Sequence, residues 1–244
     1  MSFSKLIIKL RLPSKLKGIF FVLRLDRLVP IHLFNLIAHM AQLSKWISVH
    51  KKTCDNDFYN PIFNYKNRES LYKRVVADHN LDSNIDYLEF GVSAGISFRW
   101  WVDQIKDSDA RFYGFDTFTG LPEDWGRFKK GDMGNNNKPP VISDDSRHQF
   151  YQGLFQQTLL PFLSEYKTDK RKVIHMDADI YSATLYVLTL MSPFIKKGDI
   201  ILFDEFNVPL HEFKAFNEWT KSFYINYKVL YGVNNFYQTA ILIQ

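Results

Sequence analysis

The chain has 244 residues, of which 46% are hydrophobic and 23% are charged, as is ordinary for a globular protein that buries a full core. Its single cysteine, Cys54, excludes an internal disulfide and indicates a reducing compartment. The net charge of +5 is unevenly distributed. Residues 1–52 contain ten Lys and Arg against one acid, which gives +9, whereas the rest contains 21 basic and 25 acidic residues, which gives −4.

Residues 1–67 are predicted to form a basic amphipathic helical extension that ends in a linker with several aromatic residues. Cations alternate with Leu and Ile from Lys5 to Lys17, and no charge occurs from Leu28 to Ser44. The segment lacks the cleavage site of a secretory signal, and the uncharged stretch is too short and polar to span a membrane.

The sequence allows more than one contact surface for residues 1–50. The extension suits packing on the body of the protein or on a second subunit of a homo-oligomer, and an anionic membrane surface is the less favoured alternative. No nucleic-acid-binding motif accompanies the charge, so nucleic acid is not expected. We therefore expect a cytoplasmic protein, with association at the inner face of the membrane as one alternative.

The predicted catalytic body, residues 68–244, begins with a helix from Arg68 to His79 and a strand from Ile85 to Phe90. Gly91 and Gly95 follow this strand and precede a predicted helix. Glycines permit a sharp turn, and the amides at the helix N-terminus can then point at a ligand.

The next predicted strand, Arg111 to Phe115, ends at Asp116. An acid at this position binds the ribose diol in nucleotide-binding α/β folds, so an adenosine-containing ligand is predicted. An NAD(P)-dependent oxidoreductase is the less favoured alternative, because the third glycine of the dinucleotide fingerprint is absent. Tyr166 and Lys170 have a dehydrogenase-like spacing but straddle a turn.

The segment from Pro122 to His148 has no hydrophobic period and is rich in Gly, Asn and Pro. Long irregular loops inside a compact domain are usually functional, so we predict a lid in which Trp125 and Phe128 close over a substrate. A surface insertion is the alternative. Residues 149–163 are predicted to form a third short strand, a turn at Gly153 and a helix.

Residues 172–206 are predicted to form a strand–helix–strand unit with acids at both strand ends. Asp177 and Asp179 follow the first strand, and Asp204 and Glu205 follow the second. A right-handed crossover makes the strands parallel, so all four carboxylates meet at one edge of the sheet. They cannot all ionise side by side without a cation or shifted pKa values, which predicts an oxygen-ligated Mg²⁺ site.

The C-terminal segment contains a predicted helix, His211 to Phe223, and two strands joined by a short connection, which suits an antiparallel pair. The whole body is therefore predicted to be an α/β fold with a doubly wound, seven-stranded, mostly parallel sheet, as in Rossmann-like proteins.

With these segments in order, the sequence resembles class I S-adenosylmethionine-dependent methyltransferases, and more narrowly the macrocin/novobiocin-type (TylF-like) sugar O-methyltransferases. The resemblance covers residues 68–244. It is carried by LEFGVSAG at 88–95, YGFDTFTGLP at 113–122, GLF at 153–155, DADIYS at 177–182 and FDEF at 203–206. The family pattern in the last segment is closer to Asp-Asp-Tyr.

The resemblance implies S-adenosylmethionine as cofactor, Mg²⁺ as metal, and a sugar hydroxyl of a bacterial glycan or glycosylated metabolite as acceptor. The implied cofactor-binding residues are Glu89, Gly91, Ser93, Gly95, Ser97, Asp116, Phe118, Gly153 and Phe155. The expected metal ligands are Asp177, Asp204 and Glu205.

A general base is also needed, because a neutral alcohol is a poor nucleophile. Asp179 is preferred because the metal would not occupy it, with Asp177 as the second candidate. The alternative from another class is a non-catalytic nucleotide-binding module of a membrane-associated complex, in which the four acids would have no role.

Overall fold

The computed structural model describes residues 14–142 and 145–244, so the Lys5–Arg11 part of the predicted amphipathic segment lies outside the described residues. The α-helices are α1 (Ser14–Val22), α2 (Ile31–His50), α3 (Asn67–His79), α4 (Ile96–Gln104), α5 (Phe155–Glu165), α6 (Tyr181–Met191) and α7 (Glu212–Ser222). The strands are β1 (Asp55–Asn56), β2 (Ile85–Phe90), β3 (Arg111–Asp116), β4 (His148–Gln152), β5 (Arg171–Met176), β6 (Ile200–Phe203), β7 (Tyr227–Val233) and β8 (Gln238–Ile243). A short 3₁₀ helix, Leu25–Leu28, lies between α1 and α2.

The strands form one sheet in the order β1-β7-β8-β6-β5-β2-β3-β4. β8 is antiparallel to both β6 and β7, and every other neighbouring pair is parallel. The predicted α/β class and all seven predicted strands are confirmed. The described sheet nevertheless has eight strands, because two residues of the predicted linker pair with β7 as β1.

Helices cover both faces of the sheet, as continuous apolar strands require. β2 and β6 are buried along their whole length. α3 and α4 pack on one face, and α5, α6, α7 and the C-terminal half of α2 pack on the other. This arrangement leaves the carboxyl ends of the parallel strands accessible at one edge.

The extension contacts the body of the protein at several points. Leu43 of α2 is buried, and the Trp46 indole donates a hydrogen bond of 2.9 Å to the Tyr227 hydroxyl. The turn between β7 and β8 accepts hydrogen bonds from backbone amides of the predicted linker. The distance from Asn60 N to Asn235 Oδ1 is 2.8 Å. No helix within residues 14–142 and 145–244 is long and apolar enough to cross a membrane.

Candidate active site

A cavity of about 660 Å³ opens at the carboxyl ends of the parallel strands, where ligands bind in open α/β sheets. Its volume is within the range of small-molecule sites. The cavity wall includes nine of the residues predicted from the sequence, namely Gly91, Ser93, Ser97, Asp116, Gly153, Phe155, Asp177, Asp179 and Glu205.

The turn after β2 depends on two glycines. Gly91 has φ +96°, and a Cβ there would overlap the backbone carbonyl oxygen of Asp177. Gly95 has φ +72°, and a Cβ there would lie 2.6 Å from Cγ of Pro140. Only glycine accepts both the left-handed geometry and the close approach. The chain can therefore pass from β2 into α4 along the cavity wall.

Asp116, at the end of β3, binds this turn through its carboxylate. Its Oδ2 accepts the backbone amides of Val92 (2.7 Å) and Ser93 (2.6 Å), and its Oδ1 accepts that of Phe118 (2.7 Å). A carboxylate offers about four lone-pair sites; the Thr117 hydroxyl lies 3.5 Å from Oδ1 but is 3.0 Å from the Gly120 carbonyl oxygen, so one acceptor site is left for a ligand hydroxyl. The residue is half-buried and lies on the cavity wall, where the sequence predicted a ribose-binding acid.

Glu89, Gly95 and Phe118 do not lie on the cavity wall. Glu89 is fully buried; its Oε1 accepts the Ser97 hydroxyl at 2.7 Å and its Oε2 accepts the Tyr87 hydroxyl. Phe118 is also fully buried, in the core. Neither side chain forms part of the wall of this cavity, and the predicted roles of Glu89 and Phe118 in cofactor binding stay predictions. Ser97, which does line it, lies between Glu89 and the cavity.

The structure brings Asp177, Asp179 and Glu205 together, with one carboxylate oxygen of each within 4.8 Å of the others. Asp204 of the predicted metal set is not in this group. Asp204 and Glu205 follow the end of β6 directly, and their side chains meet different surroundings. Asp204 Oδ2 accepts the Tyr65 hydroxyl and lies 3.3 Å from Nη1 of Arg68.

The three grouped carboxyls have raised pKa values. Burial, followed by the nearby Asp204 charge, raises the pKa of Asp179 to about 7 and that of Asp177 well above its ordinary value. The same two causes raise the pKa of Glu205. Glu205 Oε2 is buried and has no hydrogen-bond partner among the described residues. An all-oxygen donor set with an unpartnered buried atom fits a hard divalent cation such as Mg²⁺.

Four residues on or beside the cavity were missed by the sequence analysis. Phe63 and Tyr65 come from the predicted linker, and Tyr237 comes from the turn before β8. Arg68 also lines the cavity, and its guanidinium donates a 2.7 Å hydrogen bond to the Tyr65 hydroxyl. The linker sequence contains several aromatic residues, but no periodicity there indicates which way their side chains face.

A buried carboxyl behind the group was missed as well. Glu212 Oε2, at the start of α7, accepts the backbone amide of Glu205 at 3.0 Å. Burial raises the pKa of Glu212 well above its ordinary value. The contact fixes the backbone of the segment that carries Glu205, so Glu212 is a positioning residue.

The long irregular loop covers one side of the cavity. Trp125 and Phe128 both line it, with their rings stacked at 5.4 Å between centroids and 10° between planes. Their backbones exchange hydrogen bonds of 3.0 and 2.8 Å. The edge of the Trp125 ring packs against His211 at 6.3 Å. The two aromatic residues of the predicted lid are thus placed to contact a ligand.

Comparisons with known proteins agree with this geometry. Residues 88–206 match the family model of a methyltransferase domain. The structure is similar to that of the calicheamicin methyltransferase CalS11, with 18% identity, 84% of this chain and 91% of that chain covered, and a TM-score of 0.53. An apo structure of CalS11, a TDP-rhamnose 3'-O-methyltransferase, is similar with 19% identity and a TM-score of 0.52. The match covers 84% of this chain and 93% of that chain.

The O-methyltransferase NovP is similar as well, with 21% identity, 73% of this chain and 78% of that chain covered, and a TM-score of 0.51. No curated protein matches the chain. The matched family segment runs from β2 to the residue after Glu205, so it spans the glycine turn, Asp116 and the carboxylate group. Residues 88–206 are therefore similar to a methyltransferase domain, and the sheet that contains them has the Rossmann-like α/β fold of these methyltransferase structures, as the sequence predicted.

Proposed function

We propose that this protein transfers a methyl group from S-adenosylmethionine to a hydroxyl group of a sugar, with a divalent cation, Mg²⁺, at the carboxylate group. One observation carries the proposal. A single cavity contains the glycine turn and Asp116 as well as three clustered carboxylates. A cofactor site and a cation site in one cavity allow the in-line approach of acceptor oxygen, methyl carbon and sulfur.

The proposed roles follow from the positions of the side chains. Asp177 and Glu205 would hold the cation, which when bound polarises an acceptor oxygen and lowers its pKa. Asp179, the third carboxyl of the group, would take the proton of the acceptor hydroxyl. Asp204, the third ligand predicted from the sequence, contacts Tyr65 and Arg68 through Oδ2, whereas its buried Oδ1 has no hydrogen-bond partner among the described residues and would be its ligand atom.

The sugar acceptor is supported by the similar CalS11, whose description names TDP-rhamnose, and by the character of the cavity wall. Aromatic side chains and polar groups share that wall, a combination that binds and orients small organic ligands. These aromatic residues are Phe63, Tyr65, Trp125, Phe128, Phe155 and Tyr237.

The first test is a calorimetric titration of the protein with S-adenosylhomocysteine, with and without Mg²⁺, beside NAD⁺. We expect a dissociation constant on the order of micromolar for S-adenosylhomocysteine and no binding of NAD⁺. Preference for NAD⁺ would indicate an oxidoreductase and overturn the proposal.

The second test replaces Asp177 by Asn and measures transfer of labelled methyl to a panel of sugar acceptors. Loss of one cation ligand should lower kcat by roughly a hundredfold or more, while S-adenosylhomocysteine affinity changes less than about threefold. Asp82→Asn, an exposed change outside the cavity, is the matched control. Full activity of Asp177→Asn would sink the cation-assisted mechanism, and cofactor binding without turnover in the unaltered protein would favour a non-catalytic module.

A further inference from the structure

Residues 14–42 form a surface that we call the basic–apolar arm: α1, the 3₁₀ turn and the first three turns of α2. Its large apolar side chains face solvent, and Val22, Leu28 and Phe21 are 81%, 79% and 68% exposed. Further exposed members are Leu16, Ile19, Phe20, Leu23, Val29, Ile31, Leu33, Phe34, Leu36, Ile37 and Met40. So many apolar side chains in one contiguous segment exceed what a monomer surface ordinarily exposes.

The exposed side chains are not confined to one stripe of the helix. Between Ile31 and Gln42 every residue is exposed except His39, which is half-buried. The last turns of α2 differ, because Leu43 is buried and Trp46 packs on the ring of Phe206. The arm therefore projects from a fixed base. His32, Asn35, His39 and Gln42 recur at helical spacing and form one polar stripe, so the apolar side chains on the remaining sides of this helix need an apolar cover while the stripe can face water.

The net charge of the arm indicates what kind of surface covers its exposed apolar side chains. The arm contains four Lys and Arg and one acid, so its net charge is +3. The acid, Asp26, is bound by Arg24 at 3.0 Å, while Lys17 and Arg27 are exposed. A second copy of the chain would bring like charges together, whereas an anionic lipid surface would attract them.

We infer that the basic–apolar arm binds peripherally to an anionic lipid bilayer. The apolar side chains enter the boundary between headgroups and acyl chains, and Lys17 and Arg27 contact lipid phosphates. The arm cannot act as a membrane span, since no helix of the described part of the chain is long and apolar enough. The inference stands on the arm alone and does not depend on the proposed methyl transfer.

The test is co-sedimentation of the full chain with large unilamellar vesicles of phosphatidylcholine containing 30 mol% phosphatidylglycerol, beside vesicles of phosphatidylcholine alone. We expect at least about tenfold stronger binding to the anionic vesicles, because each basic residue near an anionic surface contributes a factor of ~5. Binding should weaken as salt is raised. Equal binding to both vesicles, or no binding to either, would overturn the inference.

The apolar contribution is tested with Phe21→Ser, Val22→Ser and Leu28→Ser in one chain. We expect binding to anionic vesicles to fall about tenfold or more, since several side chains leave the lipid boundary. The matched control carries Val141→Ser, Leu160→Ser and Tyr224→Ser, which are 84%, 60% and 88% exposed and lie outside the arm.

Two readouts separate the outcomes of this second test. Circular dichroism and the melting temperature check that both triple variants fold. Light scattering behind gel filtration reports the oligomeric state without lipid. An oligomer that the arm variant dissociates, combined with vesicle binding that it leaves unchanged, would assign the arm to a second copy of the chain and overturn the lipid assignment.

Discussion

Asp179 shows how a single residue is set for chemistry by its surroundings. It has φ +59°, a left-handed conformation that Asp tolerates better than most residues, and it is 8% exposed. The conformation directs the chain back toward the cavity after β5. Burial and the charge of Asp204 then oppose ionisation of its carboxyl.

This environment predicts a pH-dependent stability of the metal-free protein. The pKa of Asp179 is raised to about 7 from an unfolded value of 3.8, so the folded state binds the proton more tightly. The resulting stability is fully present below about pH 4 and is lost as the pH rises through about 7. Asp177 and Glu205 act in the same direction. We expect a lower melting temperature at pH 8 than at pH 5.

Asp179→Asn should raise the melting temperature of the metal-free protein at pH 8 by about 3 °C or more, with little effect at pH 4. Asp82→Asn, at an exposed position, is the control. Mg²⁺ should stabilise the unaltered protein more at pH 8 than at pH 5, because the cation binds the ionised carboxylates. A melting temperature that Mg²⁺ leaves unchanged at both pH values would argue against the cation site.

At the scale of elements, the described parts of the long loop, residues 122–142 and 145–147, are fixed beside the cavity by close backbone approaches and hydrogen bonds rather than by a helix or a long strand. Gly120 has φ +94°, and a Cβ there would overlap the backbone around Gly131. The Ser93 hydroxyl donates a 3.0 Å hydrogen bond to the Met133 carbonyl oxygen, which joins the loop to the glycine turn after β2. Neither a glycine at a close backbone contact nor a polar side chain in a turn produces a hydrophobic period, so the sequence could not predict these contacts.

The loop supplies a prediction about acceptor binding. Trp125→Ala should raise the acceptor KM about tenfold, because it removes a large aromatic surface and leaves Phe128 and His211 without their packing partner. Affinity for S-adenosylhomocysteine should change less than about threefold. Steady-state kinetics and calorimetry measure the two effects.

Lys129→Ala is the control for that experiment. Its exposed ion pair with Asp124, at 2.9 Å, belongs to the same loop, and exposed pairs contribute little to stability. An unchanged acceptor KM in Trp125→Ala would show that the stacked rings do not contact the acceptor.

At the scale of the whole molecule, the sequence was sufficient where periodicity and strand-end chemistry coincide. The apolar β5 and β6, each followed by acids, predicted the sheet and the cavity edge. The sequence was insufficient to place the extension, because its position depends on contacts between segments that are distant in the chain. Asn64 and Asn234 are 170 residues apart, yet Asn64 N lies 3.0 Å from Asn234 Oδ1. No local pattern reports such a pair, and none reported that Tyr65 would reach Asp204.

The boundary predicted at residue 67/68 is therefore open to a direct test with two truncated chains. A chain that begins at Gln42 loses residues 14–41 of the basic–apolar arm and keeps Trp46, β1 and Tyr65. We expect its melting temperature to stay within about 2 °C of that of the full chain, because the arm buries almost nothing against the body. Its affinity for S-adenosylhomocysteine should also be retained.

A chain that begins at Arg68 should behave differently. It exposes the rings of Phe206 and Phe236, on which Trp46 packs with centroids 4.7 and 5.5 Å apart, and it removes the hydroxyl that binds Asp204. Loss of a packed Trp alone costs about 3 kcal/mol, so the melting temperature should fall by at least about 6 °C. Thermal unfolding followed by circular dichroism measures both chains. Equal melting temperatures would place the domain boundary at residue 68 and show that the linker does not stabilise the catalytic body. The expected difference would make residues 43–67 a structural part of that body.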